Sequence, residues 1–293
     1  MAFDFDFSTL LNVLISGLMT GLVYGLMALG LSVIFGVARV VNFAHGEMMA
    51  LAMYATALLF SAFRINPFIA VVPIAACFFS FGYALQRLVL RSFVARPQHM
   101  QFLLLLALAV VITSTLLIVF GPDARAVNLD WLLEPVIIGE LLLDQAKLYA
   151  AVVACAVAAA LFAFFHFSYT GTAIRACADN WLGAKIVGLD VDRLYAIAFG
   201  IGASCVGIAG CMMMLLVDVT PGSGPAYTLL AFVIVIVGGL GSMSGALVGG
   251  VLIGVSEAFG GFFMAPSAKS MISFALMIMV LIFRPRGLIA EKL

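Results

Sequence analysis

A chain of 293 residues that is 65% apolar and only 10% charged lacks the polar side chains to clothe a water-soluble globule. Basic and acidic residues balance at 14 each, so no basic field is present to draw nucleic acid. The composition leaves the all-α class: a polytopic membrane helical bundle, a single transmembrane domain over residues 1–293.

Charge is so sparse that the gaps between charges locate the spans. The opening carries Asp4 and Asp6 instead of a basic stretch, so no cleavable signal peptide is expected. Residues 7–38, 48–63, 65–86, 97–122, 148–174 and 194–217 are free of charge, and all but 48–63 comfortably hold the ~20 residues of a spanning helix. Residues 219–256 are also uncharged, but as one helix they would reach about 57 Å, far beyond a ~30 Å hydrocarbon core. That run must break, and Gly238, Gly239, Gly241 and Gly245 cluster there with Ser242 and Ser244. Two short segments near 228–240 and 246–262 follow, and then a last helix near 269–283. The expected total is about nine membrane segments, within a range of eight to ten, some of them broken or re-entrant.

Alternation through nine segments gathers Arg39, Arg87, Arg91, Arg96, Arg175, Lys185, Arg193, Arg284, Arg286 and Lys292 on one side. Arg64, Arg125, Lys147 and Lys269 fall on the other. The richer side is cytoplasmic by the positive-inside rule, which puts the N-terminus outside and the C-terminus inside. Residues 121–147 then form an external loop, where 136–143 makes either a short hairpin or a surface helix. Residues 168–193 form the long cytoplasmic loop, with one short helix expected over Ala173–Ala184 and a stop at Gly188–Asp190. Asp218 opens an outer turn running to Pro225.

Small residues recur every fourth position at Gly17, Gly21 and Gly25 and at Gly250 and Gly254, a spacing that lets helices approach closely in lipid. The run Asn42-Phe-Ala-His-Gly-Glu47 places three polar groups at a helix junction. Ionisable groups at membrane depth are costly, so Asn42, His45 and Glu47 either line a pathway or gate, or form an interfacial loop that caps the next helix. Glu257 is a second carboxylate within a span. Residues 20–60 and 225–265 faintly echo each other as helix, polar break and short helix, a transporter trait.

Absences narrow the chemistry. The five cysteines show no CxxC spacing and their number is odd, which argues against disulfides, metal or redox work. None of the four lysines follows a glycine, so there is no GxxxxGKS/T phosphate loop for ATP. No HExxH motif, Ser/His/Asp set or paired carboxylates point to an enzyme, and no catalytic or metal-binding residues are expected.

The runs Gly21-Leu-Val-Tyr-Gly-Leu-Met-Ala-Leu-Gly30 and Val41-Asn-Phe-Ala-His-Gly-Glu47 resemble the LivH-type permease subunits of bacterial high-affinity branched-chain amino acid ABC transporters. Arg175-Ala-Cys-Ala-Asp-Asn180, Gly188-Leu-Asp-Val-Asp-Arg193, Val237-Gly-Gly-Leu-Gly-Ser242 and Phe283-Arg-Pro-Arg-Gly-Leu288 are similar to the same family. Where that family commonly carries a charged pair after Arg-Ala, this chain has Asp179 alone, followed by Asn180 and Trp181.

The resemblance implies a type II ABC importer-like permease in the bacterial inner membrane, moving leucine, isoleucine or valine. Its implied partners are a homologous LivM-type permease, two cytoplasmic ATPase subunits that bind the ATP, and a periplasmic solute-binding protein. It implies no cofactor for the chain itself. Asn42, His45, Glu47, Gly238, Gly239 and Gly241 are the implied pathway or gate residues. Arg175, Asp179, Asn180, Gly183 and Gly188, within Thr172–Gly188, are the implied ATPase-coupling residues. Related permeases serve urea, short amides or other amino acids, and a stand-alone secondary transporter, with His45 and Glu47 carrying a proton, is the other reading.

Overall fold

The computed structural model describes residues 7–93, 98–132, 134–139, 141–264 and 269–289. Eleven α-helices and one small hairpin make up the described chain. The spans are α1 (Phe7–Ala38), α2 (His45–Phe63), α3 (Pro67–Ala84), α4 (Gln98–Phe120), α5 (Gln145–Phe167), α8 (Val191–Met213), α9 (Gly224–Gly238), α10 (Met243–Phe263) and α11 (Lys269–Phe283). Helix α3 continues through a π turn and a 3-10 turn to Phe93. Among the described residues, eight segments are long and apolar enough to cross a membrane, and α11 is a shorter apolar helix of 15 residues. Charge counting expected about nine segments, and the eight long helices together with the shorter α11 fall at those places in the chain.

Short polar side chains write the boundaries between these apolar helices. Asn66 accepts from the Phe68 amide and Pro67 opens α3, Asp144 caps α5 through the Lys147 amide, and Ser242 caps α10 through the Gly245 amide. Each cap satisfies an amide that lipid would leave bare.

The loop over residues 121–147 contains the hairpin: β1 (Val136–Ile138) pairs antiparallel with β2 (Leu141–Leu143), turning at Gly139 with φ of 65°. The hairpin sits on the start of α1, where the Leu142 amide donates to Asn12 at 3.0 Å. The expected single cytoplasmic helix is instead two, α6 (Tyr169–Asp179) and α7 (Trp181–Ile186). Asn180 breaks it, with extended backbone and its side chain taking the Gly183 amide at 2.9 Å, a local bond that competes with the helix ladder.

Contacts among the described residues distinguish the two ends of the bundle. One end holds the hairpin, the bridge between Arg125 and Val219, and the Lys147 ammonium donating to Ser16. The other holds the Arg91–Asp192 ion pair at 2.8 Å and the α9–α10 turn, onto which the Leu288 and Ile289 amides bond. Arg96 and Lys292 lie outside the described residues.

Helices α1 and α8 form the buried centre, while α3, α4 and α5 turn much of their surface outward. The first helix lies against α10 so closely that a Cβ on Gly21 would stand 2.7 Å from the Val251 Cα. The broken pairs interlock, with α1 on α10 and α2 on α9.

Candidate translocation site

The polar junction folds back into the membrane. Helix α1 ends at Ala38, and Arg39 reverses the chain in a left-handed conformation, φ 55°. The chain then climbs back along α1, and the His45 Nε2 meets the Met27 carbonyl at 3.0 Å. Met27 lies eleven residues before Ala38, about 16 Å along the axis and about half of a ~30 Å core. Helix α2 therefore starts at mid-depth. Asn42 shapes the approach by accepting the Ala44 amide at 3.1 Å, a turn closed by its own side chain.

A second helix begins at the same place. The Gly46 amide donates to the Thr228 hydroxyl at 2.8 Å, and that hydroxyl donates to the Glu47 carboxylate at 3.0 Å. A Cβ on Gly224, the first residue of α9, would stand 2.8 Å from the Glu47 Cγ. The first turns of α2 and α9 thus touch, and both present the positive end of a helix dipole to one carboxylate. Asn42 and His45 are fully buried, and Glu47 is 4% exposed.

The Met27 carbonyl only accepts, so His45 carries its proton on Nε2, and its buried Nδ1 has no partner among the described residues. Glu47 borders a cavity of about 420 Å³ walled by Leu106, Val110, Thr113 and Ser114 of α4 and Leu229 of α9. That volume falls within the roughly 300–1,000 Å³ of small-molecule sites.

The glycine residues expected beside Asn42, His45 and Glu47 stand apart from the Glu47 junction. Gly239 (φ 120°) and Gly241 (φ 81°) make the α9–α10 turn in conformations that only glycine adopts without strain. The turn rests on the foot of α1: Ser32 donates to the Ser242 carbonyl at 2.9 Å, and a Cβ on Gly241 would stand 3.3 Å from the Gly36 Cα. The Ile289 amide bonds the Gly238 carbonyl at 2.9 Å, tying the C-terminal segment to the turn. Gly36 is nine residues from Met27, about 13 Å along α1, so this turn and the Glu47 node are separate features of one helix.

The expected coupling residues gather on α6, α7 and the turn after them. Asp179 and Asn180 are exposed, and the Arg175 Nε is buried with no partner among the described residues. Gly188 (φ 87°) terminates α7, letting the Leu189 amide reach back to the Ala184 carbonyl. Around them stand Trp181, Leu182, Ile186 and Val187, all more than half exposed. These apolar side chains were not among the expected coupling residues, and Trp181 read only as a departure from the family pattern.

Glu257 sits in another setting. Ser273 donates to it at 2.7 Å, and the Tyr24 hydroxyl faces it. It borders a cavity of about 630 Å³ near the hairpin end, with Lys147, Lys269 and the α1 residues Asn12, Ser16 and Thr20. The four-residue spacing of Asn12, Ser16, Thr20 and Tyr24 was legible as a polar stripe, but the glycine stripe beside it masked it.

Comparison with known proteins decides what these features belong to. The family model described as branched-chain amino acid transport system / permease component matches residues 13–281. The chain belongs to this family. BraD of Pseudomonas aeruginosa, a high-affinity branched-chain amino acid transport system permease protein, is 28% identical over 296 residues that cover 96% of each chain. LivH of Salmonella typhimurium, of the same description, is 27% identical over 98% of this chain and 97% of its own. A probable LivH of Methanocaldococcus jannaschii is 26% identical over 90% of this chain and 87% of its own. No solved structure matches the chain. The LivH-type resemblance carried by the Gly21–Gly30 and Val41–Glu47 runs is therefore shown along nearly the whole chain, and the bundle is that of a permease component.

Proposed function

We propose that this permease is the membrane-spanning subunit of an ATP-driven importer in the bacterial inner membrane. It passes leucine, isoleucine or valine received from a periplasmic binding protein. The carrying observation is the mid-depth node where Glu47, at the joined starts of α2 and α9, borders a small cavity. A branched-chain amino acid offers what that cavity lacks. Its ammonium pairs with Glu47, and its aliphatic chain lies on Leu106, Val110 and Leu229. The names of the relatives support this substrate class.

Val110 and Leu229 are exposed, so the cavity is open sideways, and a homologous LivM-type permease supplies the far wall. ATP is bound and hydrolysed by two cytoplasmic ATPase subunits, and no cofactor is held by this chain. Trp181, Leu182, Ile186 and Val187 on and after α7 seat in an ATPase groove, with Arg175, Asp179, Asn180, Gly183 and Gly188 shaping that element. The end carrying Arg39, Arg91 and Lys185 faces the cytoplasm, which leaves the hairpin end to meet the binding protein.

The test is ATP hydrolysis by a complex reconstituted with the second permease, the ATPases and the binding protein. Hydrolysis that rises only with the binding protein and a branched-chain amino acid supports the proposal. Co-purified ATPases that answer only to urea, a short amide or another amino acid would keep the machine and replace the substrate. Solute movement by the chain alone, with no ATPase bound, would replace the importer with a secondary transporter.

A further inference from the structure

A second cavity, of about 240 Å³, lies below the Glu47 cavity, lined by Arg39, Val41, His99 and Gln101 as well as two phenylalanines. Helix α4 orders the two along one axis. His99 and Gln101 stand at its start, near the end that carries Arg39, while Thr113 and Ser114 stand about three turns further on. One residue, Phe43, lines both cavities. Its ring meets the edge of Phe102 on α4 at 4.5 Å between centroids and 88°, and lies against Phe232 on α9 at 5.0 Å and 41°.

Phe43 thus stands between a cavity with a carboxylate and a cavity with an arginine and a histidine, with Phe102, which lines the second, and Phe232 packed against its ring. Phe43 differs from its two neighbours in lying on the re-entrant segment between α1 and α2 and not on a helix. That segment is held at one side by the Asn42 turn and at the other by the Gly46–Thr228 bond, so a small movement of α9 against α2 swings the ring.

We infer that Phe43, Phe102 and Phe232 form the inner gate of the translocation pathway, with Phe43 as the moving leaf. Apolar rings exclude water and polar solute while in contact, and part without breaking a charged bond. A solute that leaves Glu47 passes this ring and meets Arg39 and His99, where its carboxylate finds basic partners in place of the lost one. The inference rests on the importer pathway proposed above, but its test reads water access and needs no transported solute.

The test uses the assembled complex with its partner permease and ATPases in proteoliposomes, without ATP. Cys77 and Cys155, the two exposed native thiols, are replaced by serine. Single cysteines are then placed above and below the ring as Ser114→Cys and His99→Cys. A membrane-impermeant charged thiosulfonate is applied from the hairpin side. With Phe43 present, Ser114→Cys is modified and His99→Cys is not. Phe43→Ala opens the ring and accelerates modification of His99→Cys from that side by about tenfold, the scale of one lost aromatic contact set. Phe232→Ala does the same from the α9 side, and Phe43→Trp keeps the lower thiol protected.

The gate is overturned if His99→Cys reacts from the hairpin side with Phe43 in place. It is equally overturned if Phe43→Ala, in complexes of unchanged yield, leaves its protection intact. Protection lost on Phe43→Ala in a complex that ignores branched-chain amino acids would keep the gate and remove the substrate assignment. Amino-acid-stimulated hydrolysis with no change in protection would do the reverse.

Discussion

Glu47 and Glu257 both sit within spans of this permease, and their surroundings divide them. Glu47 is held at mid-depth by one threonine hydroxyl and the starts of two helices. Glu257 lies nearer the hairpin end, bonded to Ser273 and sharing a larger cavity with Lys147 and Lys269. A charge with cationic neighbours and water needs no special support, whereas a charge at mid-membrane is kept only where dipoles and donors are fixed around it. On the proposed importer pathway, this contrast favours Glu47 as the place of the transport chemistry and leaves Glu257 to an outer vestibule.

The largest effect is expected at Gly46, where the two helix starts meet. A Cβ there would stand 2.6 Å from the Thr228 Oγ1 and press on the α9 backbone, and neither can retreat without parting α2 from α9. Overpacking of this kind costs typically about 1–3 kcal/mol, and the lost Gly46–Thr228 bond adds to it. Gly46→Ala should lower both complex yield and melting temperature. Gly222→Ala, at a position with open space around it, should leave both unchanged. Equal behaviour of the two variants would mean that the junction does not hold the site.

Glu47→Gln comes next. The amide oxygen still accepts from Thr228, so the fold is kept while the charge is removed. Hydrogen bonds to charged groups contribute about 1.5–3 kcal/mol, so uptake should fall roughly 10- to 100-fold at normal expression. Radiolabelled leucine uptake at wild-type rates would break the contrast at its centre.

A smaller effect belongs to Thr228, whose hydroxyl serves two partners at once. Thr228→Val keeps the shape but strands the Gly46 amide and weakens the hold on Glu47. An unsatisfied buried group costs about 1–3 kcal/mol, and about tenfold slower uptake is expected. Thr228→Ser should restore most of it, which separates the hydroxyl from the methyl group.

How much of this was readable beforehand depends on the kind of signal. The span count was legible because charges are rare and a ~30 Å core allows only certain lengths. The break near Gly238 followed from length alone. The 48–63 segment looked short because the charge-free stretch starts only after Glu47, whereas α2 begins at His45 and takes Glu47 into its first turn, whose positive end tolerates a carboxylate. Thr228 carried no signal: a lone threonine in an apolar helix is ordinary, and its partners lie 181 and 182 positions away. Phe43 was one of 25 phenylalanines, and only the packing singles it out. The Asn180 break was missed because helical spacing continues through it, and the side chain decides between one helix and two.

The smallest effect is expected at Glu257, and it tests the contrast from the other side. Its cavity is lined by two lysines and several hydroxyl groups, so the field of one carboxylate there is shared and screened. Partly exposed charge interactions of this kind contribute about 0–1 kcal/mol, which limits the change in uptake for Glu257→Gln to about fivefold or less. The Ser273 hydroxyl still finds an acceptor in the glutamine oxygen, so expression should hold. A loss as large as that of Glu47→Gln would make the 630 Å³ cavity a substrate site in its own right. The solute would then pause twice, first between Lys147, Lys269 and Glu257 and later at Glu47. With the expected small change, the outer cavity is a wet antechamber, and selection inside the membrane falls to the buried carboxylate alone.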